Sequence, residues 1–148
     1  VESRITEGER LKEDLFDKLD GMIKDVDAIE DRYPQIMAEY REKLTQKVEE
    51  LLGDAQMEEG RIAAEVILFA DKICTDEETV RLRSHIESMR EELLRGGSVG
   101  RKLDFLAQEM NREANTILSK ANDLETSNRA INLKTEIEKV REQIQNIE

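Results

Sequence analysis

Apolar residues recur at alternating steps of three and four along most of this chain, and that spacing restricts it to helices packed lengthwise on one another. Leu15, Leu19, Met22, Val26, Ile29 and Tyr33 keep the rhythm first, with Ile5 ahead of them and Gly8 and Lys12 interrupting the seam near its start. Ile36, Tyr40, Leu44, Val48 and Leu51 follow at helical steps of four, four, four and three, and Ile62, Val66, Phe69 and Ile73, then Leu82, Ile86, Met89 and Leu93, keep the rhythm. Ala130, Leu133, Ile137, Val140, Ile144 and Ile147 carry it to the end of the chain. A composition of 39% charged and 3% aromatic residues, with one Pro and no Trp, leaves little material for sheets. The expected fold class is all-α: long antiparallel helical hairpins forming a bundle with coiled-coil-like seams.

Breaks in the rhythm divide the chain. Pro34 lacks an N–H and disfavours helical geometry at Tyr33, so residues 1–54 read as a long helical hairpin kinked or broken near Pro34. Gly53 to Gly60 reads as a loop. Residues 61–97 read as two shorter helices, the second opened by a capping box at Thr75-Asp76-Glu77-Glu78 and stopped at Gly96-Gly97. Ser98 is placed to cap the next helix, and residues 98–148 form a C-terminal helical region. Narrow apolar stripes bury less area than the broad face of a globular helix, which predicts a self-association surface; a self-contained monomeric bundle is the alternative.

Charge sharpens the division. The net charge is −12, with 23 basic and 35 acidic residues. All of the excess lies in residues 1–94, whereas residues 95–148 hold 9 basic and 9 acidic side chains. A bulk acidic balance argues against broad adhesion to nucleic acid, but it says little about the C-terminal third. No apolar run approaches a membrane span, and the single Cys74 fits a reducing compartment, so the expected location is the cytoplasm. The opening Val-Glu-Ser-Arg, without initiator Met or a signal-like core, reads as a fragment or processed chain.

Residues 98–120 carry the most information. On a helix they sort into three faces. Val99, Leu103, Leu106, Met110, Ala114 and, beyond the segment, Ala121 form the buried one. Lys102, Glu109, Glu113 and Lys120 form a second. The third collects Arg101, Asp104, Gln108, Arg112, Asn115 and Ser119. Asp, Asn, Ser and Thr cost a helix up to roughly 0.7 kcal/mol each relative to Ala, so Asp104, Asn111, Asn115, Thr116 and Ser119 call for compensating hydrogen bonds. A partner, a phosphate or a neighbouring helix would supply them.

Glu109 and Glu113, four residues apart, can both approach one divalent cation, with Asp104 a further carboxylate. Arg101, Lys102, Arg112 and Lys120 could hold phosphates beside it. That is the minimum apparatus for metal-assisted phosphodiester cleavage, and ordinary Glu–Lys surface pairing is the competing explanation. His85, the one histidine, is a candidate general acid or base, or a packing residue flanking its seam. Cys74 has no basic neighbour in sequence and reads as structural. There is no Walker or dinucleotide loop, no His-Glu-x-x-His and no nucleophile elbow. With only Phe16, Phe69, Phe105, Tyr33 and Tyr40 available for stacking, any RNA contact should run mainly to backbone and sugar.

Gly100-Arg101-Lys102-Leu103-Asp104-Phe105, Asn111-Arg112-Glu113-Ala114-Asn115-Thr116 and the tail from Leu133 to Glu148 resemble the C-terminal part of the bacterial YicC/YloC family. Glu65…Ala70-Asp71-Lys72 and Glu77-Glu78…Arg81-Leu82…Ser84-His85 extend the likeness over nearly the whole chain. The resemblance implies an endoribonuclease of single-stranded or structured RNA, dependent on a divalent metal, Mg²⁺ or Mn²⁺, and working as a homo-oligomer, a hexamer in the full-length protein. It also implies a parent chain about twice as long, with an N-terminal domain absent here. The positions carried over are Arg101, Asp104, Gln108, Glu109, Arg112, Glu113, Asn115 and Lys120, with His85 beside them. Carboxylates are assigned to metal, Arg and Lys to phosphate, amides to the sugar-phosphate backbone. Cys74 stands where the family usually has an acidic residue, and Thr79 where an apolar one is usual. The alternative reading is a non-catalytic oligomerisation or protein-interaction scaffold, its polar 98–120 face docking another helix.

Overall fold

The computed structural model describes residues 2–53, 59–96 and 100–147, with the side chains of residues 2–7 and 147 left aside. Among the described residues there are five helices and no strand: α1 (Glu2–Leu52), α2 (Glu59–Ile73), α3 (Asp76–Arg95), α4 (Gly100–Lys120) and α5 (Leu124–Ile147). The fold is the all-α antiparallel bundle expected from the apolar rhythm.

Four of these helices enclose one core. α1 packs on α3 and α5, and α4 closes the ring by packing on both. Polar pairs fix the directions. Arg83 of α3 pairs with Asp27 and Glu30 of α1, while the later Arg90 pairs with the earlier Asp20, so α3 runs against α1. Arg129 meets Asp25 and Gln143 meets Asp14, so α5 also runs against α1. Arg141 on Asp104 sets α5 against α4. Leu15, Leu19, Met22 and Val26 of α1, Leu82, Ile86 and Met89 of α3, Met110 and Ile117 of α4, and Leu133, Ile137 and Val140 of α5 are fully enclosed. Each such side chain contributes roughly 1.5–3 kcal/mol by leaving water.

Beyond the bundle, the C-terminal part of α1 continues with α2 as a two-helix arm. Tyr40 and Phe69 stack across it at 3.8 Å between ring centroids, and the Tyr33 hydroxyl donates to the Ala70 carbonyl at 2.9 Å. Two helices cannot enclose what four enclose. Tyr40, Leu44 and Val48 stay half-buried, and Leu51, the last member of their stripe, is exposed, as are Leu52, Ile67 and Leu68 beside the stripes.

Three expectations need correction or fall outside these residues. α1 is not a hairpin broken near Pro34; it is one helix of 51 residues with Pro34 inside it. An interior Pro costs a helix about 3 kcal/mol, and here tertiary contacts on either side offset that cost. Ile29 and Ile36 are buried around it, and Arg32 reaches Glu39 at 2.8 Å and Asp123 at 3.2 Å. The Arg32 guanidinium is held well above its usual range, first by hydrogen bonds to those two carboxylates. The capping box at Thr75 is also absent. Thr75 makes no side-chain cap, and Glu78, its expected reciprocal partner, accepts from Lys120 instead at 2.7 Å. Asp76, Glu77 and Glu78 still favour the helix start through its dipole. The Ser98 cap, the Gly97 stop, buried Val99 and most of the Gly53–Gly60 loop lie outside the described residues. Gly96 does end α3, at φ +73° with its N–H on the Glu92 carbonyl. Asp123, which the sequence did not single out, caps α5 through the Thr126 N–H at 3.2 Å.

Candidate functional site

The three-face division of residues 98–120 governs what α4 presents. Leu103, Leu106, Ala107, Met110, Ala114 and Ile117 face the core, and Arg101, Gln108, Arg112, Asn115 and Ser119 are exposed. Phe105 lies among the exposed group with 57% of its surface open. A large aromatic ring four residues after Arg101 and three before Gln108 belongs to the same open stripe, and the sequence reading missed it. The signal was there: Phe105 shares no face with Leu103 and Leu106.

The face carrying Lys102, Glu109, Glu113 and Lys120 meets α3. Lys120 bonds Glu78 at 2.7 Å and the Cys74 carbonyl at 3.1 Å, Arg81 bonds Glu113 at 3.0 Å, and Lys102 bonds Glu92 at 2.8 Å. Glu78, Glu92 and Glu113 are all buried. Hydrogen bonding to Lys102 pulls the Glu92 carboxyl below the ordinary carboxylate range. These pairs form a ladder up the α3–α4 seam. Two of the candidate phosphate ligands, Lys102 and Lys120, are therefore already engaged with carboxylates.

One level of the ladder differs. In antiparallel helices, advancing along one matches retreating along the other. Arg81 with Glu113 and Glu92 with Lys102 therefore put His85 level with Glu109. Both are half-buried, and no ion pair joins them. The nearest charged contact of Glu109 is a long one, 3.7 Å to Arg112. An acid–base group and a carboxylate thus lie at one level, with the exposed Arg112 guanidinium about one turn further along α4, next to the open stripe.

The metal expectation meets this geometry unevenly. Among the described residues no three His, Cys, Asp or Glu side chains converge to hold an ion. Glu113 is committed to Arg81, and Asp104 accepts from Gln108 at 2.8 Å and Arg141 at 3.3 Å. An all-protein cage does not fit. Glu109, lightly engaged and partly open, does fit the other common arrangement, in which one or two carboxylates share an ion with substrate phosphates.

An all-α module with a charged interhelical ladder beside an open Arg- and amide-bearing helix face is the class of protein these elements define. Residues 29–148 match the family described as "Endoribonuclease YicC-like, C-terminal". A protein of Clostridioides difficile (strain 630) named "Probable endoribonuclease YicC" is 45% identical over 148 residues, 99% of this chain and 50% of that protein. A Haemophilus influenzae protein of the same name is 38% identical over 148 residues, 100% of this chain and 51% of that protein. The chain belongs to the YicC-like family, and it spans about half the length of these relatives. No helix among the described residues is long and apolar enough to cross a membrane.

Proposed function

We propose that this chain is the RNA-cleaving C-terminal module of an endoribonuclease, with RNA lying along the exposed face of α4 and the scissile phosphate beside His85 and Glu109. The observation that carries the proposal is the one level of the α3–α4 ladder that no ion pair between the two helices closes, where His85 and Glu109, the latter met only by Arg112 of its own helix at 3.7 Å, are able to move a proton or hold a cation. The names of the two relatives supply the substrate class.

In this reading Arg101 and Arg112 hold phosphates, Gln108 and Asn115 bond the sugar-phosphate backbone, and His85 exchanges a proton with the attacking or leaving oxygen. Glu109 would hold Mg²⁺ or Mn²⁺ together with RNA phosphate oxygens; bound there, the ion supplies charge neutralisation at the phosphate. Glu113 and Asp104 position the cationic side chains of Arg81 and Arg141 and do not touch substrate. The nucleophile is either water or the RNA 2′-OH: a 5′-phosphate product marks the first, a 2′,3′-cyclic phosphate the second. Exposed Leu51, Leu52, Ile67 and Leu68 on the arm support self-association, a hexamer in the resembled family, and the same reading places the protein with its RNA in the cytoplasm.

The deciding experiment is cleavage of labelled RNA with and without Mg²⁺ or Mn²⁺, using wild type and the Glu109→Gln and His85→Ala variants. Loss of cleavage in folded variants supports the site. Normal cleavage by both would remove it and leave the scaffold reading, which sizing of the protein together with RNA binding would then have to support.

A further inference from the structure

The open stripe of α4 does not end in flat solvent. At its C-terminal end Ser119, Lys120 and Asn122 face Phe69 and Lys72 from the end of α2 across a cleft of about 240 Å³. Tyr40 covers one face of the Phe69 ring at 3.8 Å and an interplanar angle of 14°, and Phe69 lines the cleft. Phe69 is half-buried, while Lys72 and Asn122 are exposed.

Resting on the function proposed above, we infer that this cleft is a nucleobase subsite, in which one unpaired RNA base stacks on Phe69 while Lys72 meets its phosphate. Three properties point to that occupant. An aromatic ring already held in a stack by Tyr40 is a rigid platform, so a base adds to it at little ordering cost. Asn122 offers both a donor and an acceptor to a base edge, and Lys72 offers a point charge for the adjoining phosphate. Continuity supplies the third: Ser119 is both the last member of the α4 stripe and part of the cleft wall, so a strand following Arg101, Gln108, Arg112 and Asn115 arrives there. Arg101 and Ser119 are separated by about 27 Å of helix, which gives the strand its direction and its length. The paucity of aromatic residues predicts contact mainly to backbone and sugar, and a single base subsite at the cleft is compatible with that expectation.

Duplex RNA cannot place a base in the cleft without opening, so the subsite selects single-stranded or bulged RNA. The test uses a short single-stranded RNA carrying one 2-aminopurine, whose fluorescence is quenched when the base stacks. The wild-type protein should quench it and bind it more tightly than a fully paired duplex of the same sequence. Phe69→Leu should abolish the quenching and weaken single-strand binding by about tenfold or more, with duplex binding unchanged. Because Phe69 also braces the arm, Lys72→Gln serves as a second variant: it should keep the quenching and lower the slope of log affinity against log salt by about one. Unaltered quenching and affinity in Phe69→Leu would overturn the subsite while leaving the cleavage proposal intact. Failure of the wild type to bind RNA would overturn both.

Discussion

Arg81 Nε donates to Glu113 Oε1 at 3.0 Å, a bond between a half-exposed guanidinium on α3 and a carboxylate on α4 whose side chain is 8% exposed. The two ends of this bond are unequal. Removing Arg81 strands a buried charge, whereas Glu113→Gln removes the charge and keeps an acceptor oxygen. We expect Arg81→Leu to lower stability more than Glu113→Gln does, both losses being reduced by solvent screening at the half-exposed Arg. Urea denaturation of the two variants tests the order, and equal losses would contradict it.

Catalysis should separate from stability at the neighbouring level. Glu109→Gln and His85→Ala alter groups with no partner in the ladder, so their melting temperatures should stay within a few degrees of wild type. Single-turnover cleavage of end-labelled RNA should fall by about 10²-fold or more in each. Cleavage within a few-fold of wild type in either variant would dismiss that residue from the reaction.

RNA affinity should depend on the other stripe. Arg101→Gln and Arg112→Gln should each reduce the salt slope of binding by about one phosphate contact, with no change in which sequences bind. Lys102→Gln should instead act on stability, because it leaves buried Glu92 without its 2.8 Å partner. A titration series at several salt concentrations separates these outcomes.

The acid limb of stability follows from Glu92 and Asp123. Hydrogen bonding to Lys102 holds Glu92 below its ordinary range. Burial pushes Asp123 up, but hydrogen bonds from Thr126 and Arg32 outweigh it and leave that carboxyl lowered as well. A carboxyl whose folded pKa is depressed contributes stability that is fully present above its unfolded pKa, about 3.9 for Asp and 4.3 for Glu, and is lost as pH falls through the folded value. Melting temperature should therefore stay flat with respect to these two groups down to about pH 5 and decline below about pH 4. Glu92→Gln should start lower and decline less steeply, and parallel curves would refute the assignment.

Pro34 offers a gain. Pro34→Ala restores a helical N–H and removes the ring from the Glu30 carbonyl in a helix that is continuous on both sides. The gain in the folded state exceeds the entropy that Pro takes from the unfolded chain, and we expect a net stabilisation of about 1–2 kcal/mol. Guanidinium denaturation measures it.

Periodicity made the bundle legible because the seam residues from Leu15 to Ile29, Leu82 to Leu93 and Ala130 to Ile144 point into a core that four helices enclose. It could not separate bundle from arm. Leu44 and Val48 are four apart, as are Leu15 and Leu19, yet spacing reports which side of a helix is apolar and not how many helices lie against it. Local rules misread Pro34 and Glu78 for a related reason. The first is offset by Arg32 reaching Asp123, and the second is taken from its own helix start by Lys120, 42 residues away. The exposed face of α4 was readable from Arg101, Gln108, Arg112 and Asn115. The pairing of Lys102 and Lys120 was not, since a Lys that meets phosphate and a Lys that meets Glu occupy a helix alike. The level shared by His85 and Glu109 depends on the register between two helices, which neither sequence segment contains by itself.

The uninterrupted run from Glu2 to Leu52 has a mechanical consequence. At about 1.5 Å per residue it is a helix of about 77 Å shared by the four-helix bundle and the arm, joining the two through Pro34 without an intervening loop. Anything that seats on Leu51 and Leu52 is thereby held at a set distance and bearing from the His85–Glu109 level. In an assembly of copies joined through their arms, the length of this helix would set the spacing between neighbouring His85–Glu109 levels.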